Sequence, residues 1–150
     1  MSLSDQIQSD LTTAMKARDT ERVATLRMIV AAIKNLRVAV GHSGEVTDTE
    51  TQSLLTREAK KRNEAADAYA NAGREDLAGK ERRELAIVRT YLPEQLGEDE
   101  LAAIVDEVVA ETGASSPSDL GRVMSSVMPR VRGRADGKQV SALVRHRLGA

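Results

Sequence analysis

PEQLGEDE, Pro93 to Glu100, decides how this chain divides. Proline has no amide to donate and stops the helix that precedes it. With Gly97 close behind, the stretch reads as a breaker-rich linker between two independently patterned sets of helices.

Working back from it, Leu77, Leu85, Val88 and Leu92 mark the buried side of a helix that begins near Arg74. A longer, strongly charged helix runs from about Asp48 to Asn71, with Gly73 placed to end it. It opens on TDTE, Thr47 to Glu50, a capping-box pattern in which Thr and Glu satisfy each other's orphan amides. Before the loop GHSGE, Asp19 caps a helix with the stripe Val23, Leu26, Val30, Ile33 and Val40, widened by Ile29 and Leu36. Leu3, Ile7, Leu11 and Met15 fall one turn apart and predict a first helix from near Ser4. Forward from the linker, Leu101, Ile104, Val105 and Val108 define a fifth helix ending at Gly113. Ser116, Pro117 and Asp119 open a sixth, whose core side is Leu120, Val123, Met124 and Val127 and which Pro129 must end or kink. Asp136 caps the last, with Val140, Leu143, Val144 and Leu148 inward. The expectation is an all-α fold: an N-terminal domain of about four helices over 1–92 and a C-terminal three-helix module over 93–150.

Composition agrees. Tyr69 and Tyr91 are the only aromatic residues, so the core must be aliphatic. Ala, Leu, Arg and Glu dominate and alternating β-branched runs are missing, which favours helices. No cysteine is present, which removes disulfide and thiolate chemistry. The N-terminus MSLSDQIQSD lacks a basic region followed by an apolar run, and the longest apolar run, Met28 to Ile33, is far too short to span a bilayer. From these the chain is expected to be soluble and cytoplasmic, with no membrane partner.

Chemistry is harder to find. GHSG, Gly41 to Gly44, superficially resembles a nucleophile elbow, but Glu45 stands where the second glycine belongs and helices flank both sides. His42 and His146, without cysteines or an H-E-x-x-H spacing, do not make a metal site. No phosphate-binding G-x-x-x-x-G-K-[ST] loop occurs, and Glu81 and Glu84 lie among Arg82 and Arg83, where ion pairing is the default. The residues therefore predict no catalytic set, no metal and no cofactor.

Charge carries more information. The net value is −1, yet Pro117 to Ala150 holds seven Arg or Lys against two Asp, +5, which leaves −6 for the rest; Pro93 to Thr112 has seven acids and no base. Such asymmetry points to an anion-binding module beside an acidic linker. Its densest part is PRVRGRADGKQV, Pro129 to Val140. Two tyrosines cannot form stacking platforms for single strands, so recognition would rest on shape and phosphate. Arg122, Arg130, Arg132, Arg134, Lys138 and Arg145 are the candidate contacts, with Gly133 and Gly137 permitting close backbone approach. The competing reading is a solvated turn in which the glycines serve only the backbone.

The run GASSPSDLGRVMSSVMPRVRGRADGKQVSALVRHRL, Gly113 to Leu148, resembles the signature of the YqeY family, or GatB/YqeY-domain proteins. KARDTERVATLRMIVAAIKN, AGREDL and ERRELAIVRTYLPEQL are similar to the same family, so the resemblance spans essentially the whole chain. Leu120 stands where Met is common, and Arg122, Arg130 and Arg132 where Lys is common; Arg adds a planar fork to the same charge. The resemblance implies an N-terminal helical domain and a C-terminal three-helix domain. It also implies kinship with the tail of the B subunit of the amidotransferase acting on Glu-tRNA(Gln) or Asp-tRNA(Asn), a tail that contacts tRNA. A carbon–nitrogen ligase activity with glutamine as amide donor would be a transfer from that parent, because nothing in this chain supplies ATP binding, glutaminase chemistry or an ammonia channel. Whether the chain is an enzyme stays open. The expected role is a freestanding tRNA-binding module or accessory to tRNA-dependent amidation, with tRNA rather than DNA as partner. The alternatives are an adaptor docking on an aminoacyl-tRNA synthetase or amidotransferase subunit, or a regulatory interaction protein that never touches RNA.

Overall fold

The computed structural model describes residues 1–149. Among them are seven α-helices, one short 3-10 turn and no strand. The chain divides into two compact units, Met1–Leu92 and Pro93–Ala150.

The first unit contains α1 (Leu3–Lys16), α2 (Thr20–Arg37), α3 (Asp48–Asn71) and α4 (Glu75–Arg89). Three of these helices start at side-chain caps. Ser2 and Asp5 form a capping box at α1, two residues before the expected start. Asp19 accepts the Arg22 amide at α2, and Thr47 and Glu50 exchange bonds at α3. Gly73, at φ +76°, leaves α3 in the left-handed region that a side chain resists. Ile7, Leu11, Leu26, Ile29, Ile33, Leu54, Leu55 and Val88 form an aliphatic core. Thr25 and Thr51 are buried with them, each hydroxyl donating to the carbonyl one turn back, Glu21 and Thr47 respectively. Tyr91 closes one side: its hydroxyl donates to Asp10 Oδ2 at 2.6 Å, and burial together with that carboxylate pushes the phenol up to about 12.

Two apolar expectations are corrected here. Met15 is 42% exposed while Ala14 takes the buried position, because the small methyl fits where α1 meets its neighbours. Val40 is fully exposed, because α2 stops at Arg37 and the stripe has no helix to sit on.

The second unit contains α5 (Glu98–Thr112), a 3-10 turn (Pro117–Asp119), α6 (Leu120–Val131) and α7 (Gly137–Arg147). Leu101, Val105, Val108, Val123, Val127, Val131, Val140, Val144 and Leu148 form its core. Gly113, at φ +67°, ends α5. Asp119 Oδ2 accepts the amides of both Ser115 and Ser116, and these bonds hold its carboxyl below the usual aspartate range. Pro129 does not end α6, which continues to Val131. Proline in the last turn removes a single ladder bond, while the buried Val131 and the bond from Arg132 N to Met128 O hold the turn closed.

The linker reading also changes. Leu96 N donates to Arg134 O at 2.8 Å, Gln95 Nε2 to Gly133 O at 2.8 Å, and Arg134 Nε to Glu94 O at 3.2 Å. Residues 94–96 are thus fastened along the turn between α6 and α7.

Candidate nucleic-acid interface

The basic residues singled out above lie on α6, on that turn and on α7, and they divide into two groups. Arg122 pairs with Asp119 one turn earlier at 3.0 Å. Arg130 reaches Glu107 of α5 at 3.0 Å, and Arg147 reaches Asp106 beside it. Arg134 is half-buried and spends its Nε on the Glu94 carbonyl. The acidic helix therefore folds against the basic segment within one unit, and the seven acids of Pro93–Thr112 bring the unit's formal charge from +5 to −2.

Arg132, Lys138 and Arg145 behave differently. All three are exposed, and none makes an ion pair or side-chain hydrogen bond among the described residues. Lys138 and Arg145 are seven residues apart on α7, nearly two full turns, so they share one face about 10 Å apart along the axis. Ser141 and Ala142 lie between them at helical spacing and are small enough to let a backbone come near. At the start of the same helix, Asp136 Oδ1 accepts the Lys138 amide at 3.1 Å, which confirms it as a cap.

The two glycines have separate explanations. Gly133 sits at φ +76° and is buried; an added Cβ would lie 3.6 Å from Pro93 Cδ. What approaches Gly133 closely is the protein's own Pro93. Gly137 has open space around it and an ordinary helical backbone, so neither conformation nor packing demands glycine there.

Several charged groups elsewhere are engaged. His42 Nε2 lies 3.2 Å from Glu50 Oε1 in the turn before α3. Arg82 pairs with Glu75, Arg83 with Glu21, and buried Arg62 with Glu58. No group of three or more His, Asp or Glu among the described residues is arranged to hold a metal. No helix among them is long and apolar enough to cross a membrane. Sequence reasoning missed Asp106 and Glu107 as partners of the arginines, since residues 23 and 41 positions apart leave no local signal.

Fold and site together define an all-helical protein of two compact units, the second bearing a short row of unpaired cations. The chain belongs to the YqeY family: the family model described as Yqey-like protein matches residues 4–148. It is 31% identical over 150 residues to "Altered inheritance of mitochondria protein 41, mitochondrial" of Pyrenophora tritici-repentis, a match covering 97% of this chain and 80% of that protein. The protein of the same name in Eremothecium gossypii is 30% identical over 108 residues, 70% of this chain and 58% of the relative. A glutamyl-tRNA(Gln) amidotransferase subunit of Thermococcus gammatolerans is 42% identical over 57 residues, 35% of this chain and only 9% of that protein. The partial match agrees with the expected kinship to a tRNA-dependent amidotransferase. The cytoplasmic expectation is corrected: the first two relatives are named as mitochondrial proteins, and a missing leader pattern is no guide to compartment.

Proposed function

We propose that this chain is an accessory module that contacts tRNA, or a similarly folded RNA, through the exposed face of α7 and the adjoining Arg132. The observation carrying this reading is the unpaired row Arg132, Lys138 and Arg145 with small residues between the last two. Lysine and arginine side chains that are not committed to carboxylates neutralise phosphates and release counterions, and small neighbours let the backbone come close. The amidotransferase relative's name supplies the class of RNA, and the other relatives' names supply a mitochondrial setting. Arg122, Arg130 and Arg134 act in this scheme as internal ties. Amidation itself is assigned to other proteins, since the paired carboxylates found here hold helices together.

Ultraviolet crosslinking of the full chain in cells, followed by sequencing of attached RNA, tests the proposal. Enrichment of tRNA that falls away in the Arg132→Gln/Lys138→Gln/Arg145→Gln variant supports it; RNA recovery at background level refutes it. In parallel, the purified chain with misacylated Glu-tRNA(Gln), ATP, Mg²⁺ and glutamine is expected to give no amidated product.

A further inference from the structure

The outward face of α2 does not look like a solvent face. Thr20, Ala24, Arg27 and Ala31 are all exposed and follow one another at spacings of three and four residues, with exposed Met28 next to Arg27 and three before Ala31, so the five share one side of the helix. Three of the five are apolar, where an amphipathic surface helix normally places charges. Met28 is 47% exposed, its sulfur 3.9 Å from Arg62 Nη2 in a depression that Lys80, Glu81 and Glu84 also line; Met15 from the end of α1, 42% exposed, has its sulfur 3.7 Å from Arg27 Nη2. Beside the row, residues of the end of α1 and the start of α2 line an open groove of about 520 Å³: Met15, Arg18, Thr20, Val23, Ala24 and Arg27.

Electrostatics select the occupant. The groove lining contains two arginines and no carboxylate. Of the nearest acids in sequence, Glu21 is ion-paired with Arg83, while Asp19 turns Oδ1 to the Arg22 amide and keeps its charge at the start of α2. Arg18 has no side-chain hydrogen bond or ion pair among the described residues, and that of Arg27 goes to the Met15 sulfur. Two guanidinium forks in one lining with Met, Val and Ala suit a ligand that is both apolar and acidic. Exposed methionines adapt to such surfaces because their side chains are unbranched and flexible. The row from Thr20 to Ala31 spans three helical turns, about 16 Å, which leaves room for the roughly 10 Å over which a docked helix presents anchors at i, i+3 or i+4, and i+7.

We infer that the α1–α2 groove and the adjoining face of α2 are a docking surface for an acidic amphipathic helix of a partner protein. This surface lies in the first unit and does not depend on the RNA reading, which concerns the second.

The test uses the full chain and two fluorescein-labelled synthetic helices of about 15 residues, some four turns, with the same Leu/Ala face and either Glu or Lys elsewhere. In anisotropy titrations the Glu peptide is expected to bind saturably and at least about tenfold more tightly than the Lys peptide. The variant Ala24→Glu/Arg27→Glu, both at exposed helical positions, should reduce that affinity by at least about tenfold, whereas Val40→Asp, exposed but off this face, should leave it unchanged. Circular dichroism checks that both variants keep the parent's helicity; should the double variant unfold, Arg27→Gln alone, expected to weaken binding several-fold, takes its place. Equal binding of the two peptides, no saturable binding, or insensitivity to the groove substitutions overturns the inference. Displacement of the peptide by tRNA in a manner dependent on Arg27 would also overturn it, in favour of a phosphate site. Self-association of the parent that Ala24→Glu abolishes would overturn it in favour of a second copy.

Discussion

Replacing Arg132, Lys138 and Arg145 together by Gln isolates the cations of the second unit that the fold leaves uncommitted. Each side chain is exposed and unpaired, so the substitution strands no carboxylate and removes no internal tie. If all three neutralise phosphates, each contributes roughly 0.7 to 0.9 to the slope of log K against log[salt]. The variant's slope should then be shallower than the parent's by roughly 2.1 to 2.7. Over a fourfold rise in salt, from about 50 to 200 mM, the parent should lose about 20- to 40-fold more affinity than the variant does. Fluorescence anisotropy with labelled tRNA at four or five salt concentrations reads this directly. The comparison variant is Arg122→Gln/Arg130→Gln, whose guanidiniums already face Asp119 and Glu107; its slope should stay close to the parent's. A folded triple variant that binds as tightly as the parent with an unchanged slope would refute the assignment. So would a larger change in slope from the Arg122/Arg130 pair, because the salt dependence would then reside in the paired cations.

Three further outcomes test the account of the fold. Tyr91→Phe keeps the ring but removes the bond to Asp10, and should cost about 1–2 kcal/mol in urea unfolding at neutral pH. Because the native phenol is raised to about 12, its stabilisation is full below about pH 10 and lost as pH rises from 10 to 12, so parent and variant should converge there. Asp119 has the opposite sign: its carboxyl is held low by two backbone amides, so its contribution is present above the ordinary value of 3.8 and disappears as pH falls through the native value. The gap in melting temperature between parent and Asp119→Asn should therefore be widest near neutrality and close in acid. Limited digestion with a Glu-specific protease should cut after Glu45, in the irregular turn before α3, earlier than after Glu94, whose carbonyl is held by Arg134; a first cut at Glu94 would count against the docked segment.

What the chain determined by itself is local. Asp19, Thr47 with Glu50, and Asp136 cap helices where their residue types predict, since a cap involves groups within three positions of one another. Gly73 and Gly113 end helices because only glycine enters the left-handed region without cost. Apolar spacing likewise marks Ile7, Leu26, Ile29, Val88, Val105, Val127 and Val144 as core, and all are buried. The family, too, is legible in the run around GRADG. Tertiary structure decided everything that depends on partners far along the chain. Ala14 rather than Met15 is buried because neighbouring helices set the space available. Residues 94–96 dock on the α6–α7 turn through bonds spanning some forty positions, and Gly133 is spoken for by Pro93. The same is true of charge. A row of seven basic residues looks uniform as letters, but α5 brings Asp106 and Glu107 to Arg147 and Arg130, and leaves Arg132, Lys138 and Arg145 to the solvent. Coulomb attraction acts through distance in space, and only the packing of α5 against α6 and α7 fixes which charges meet.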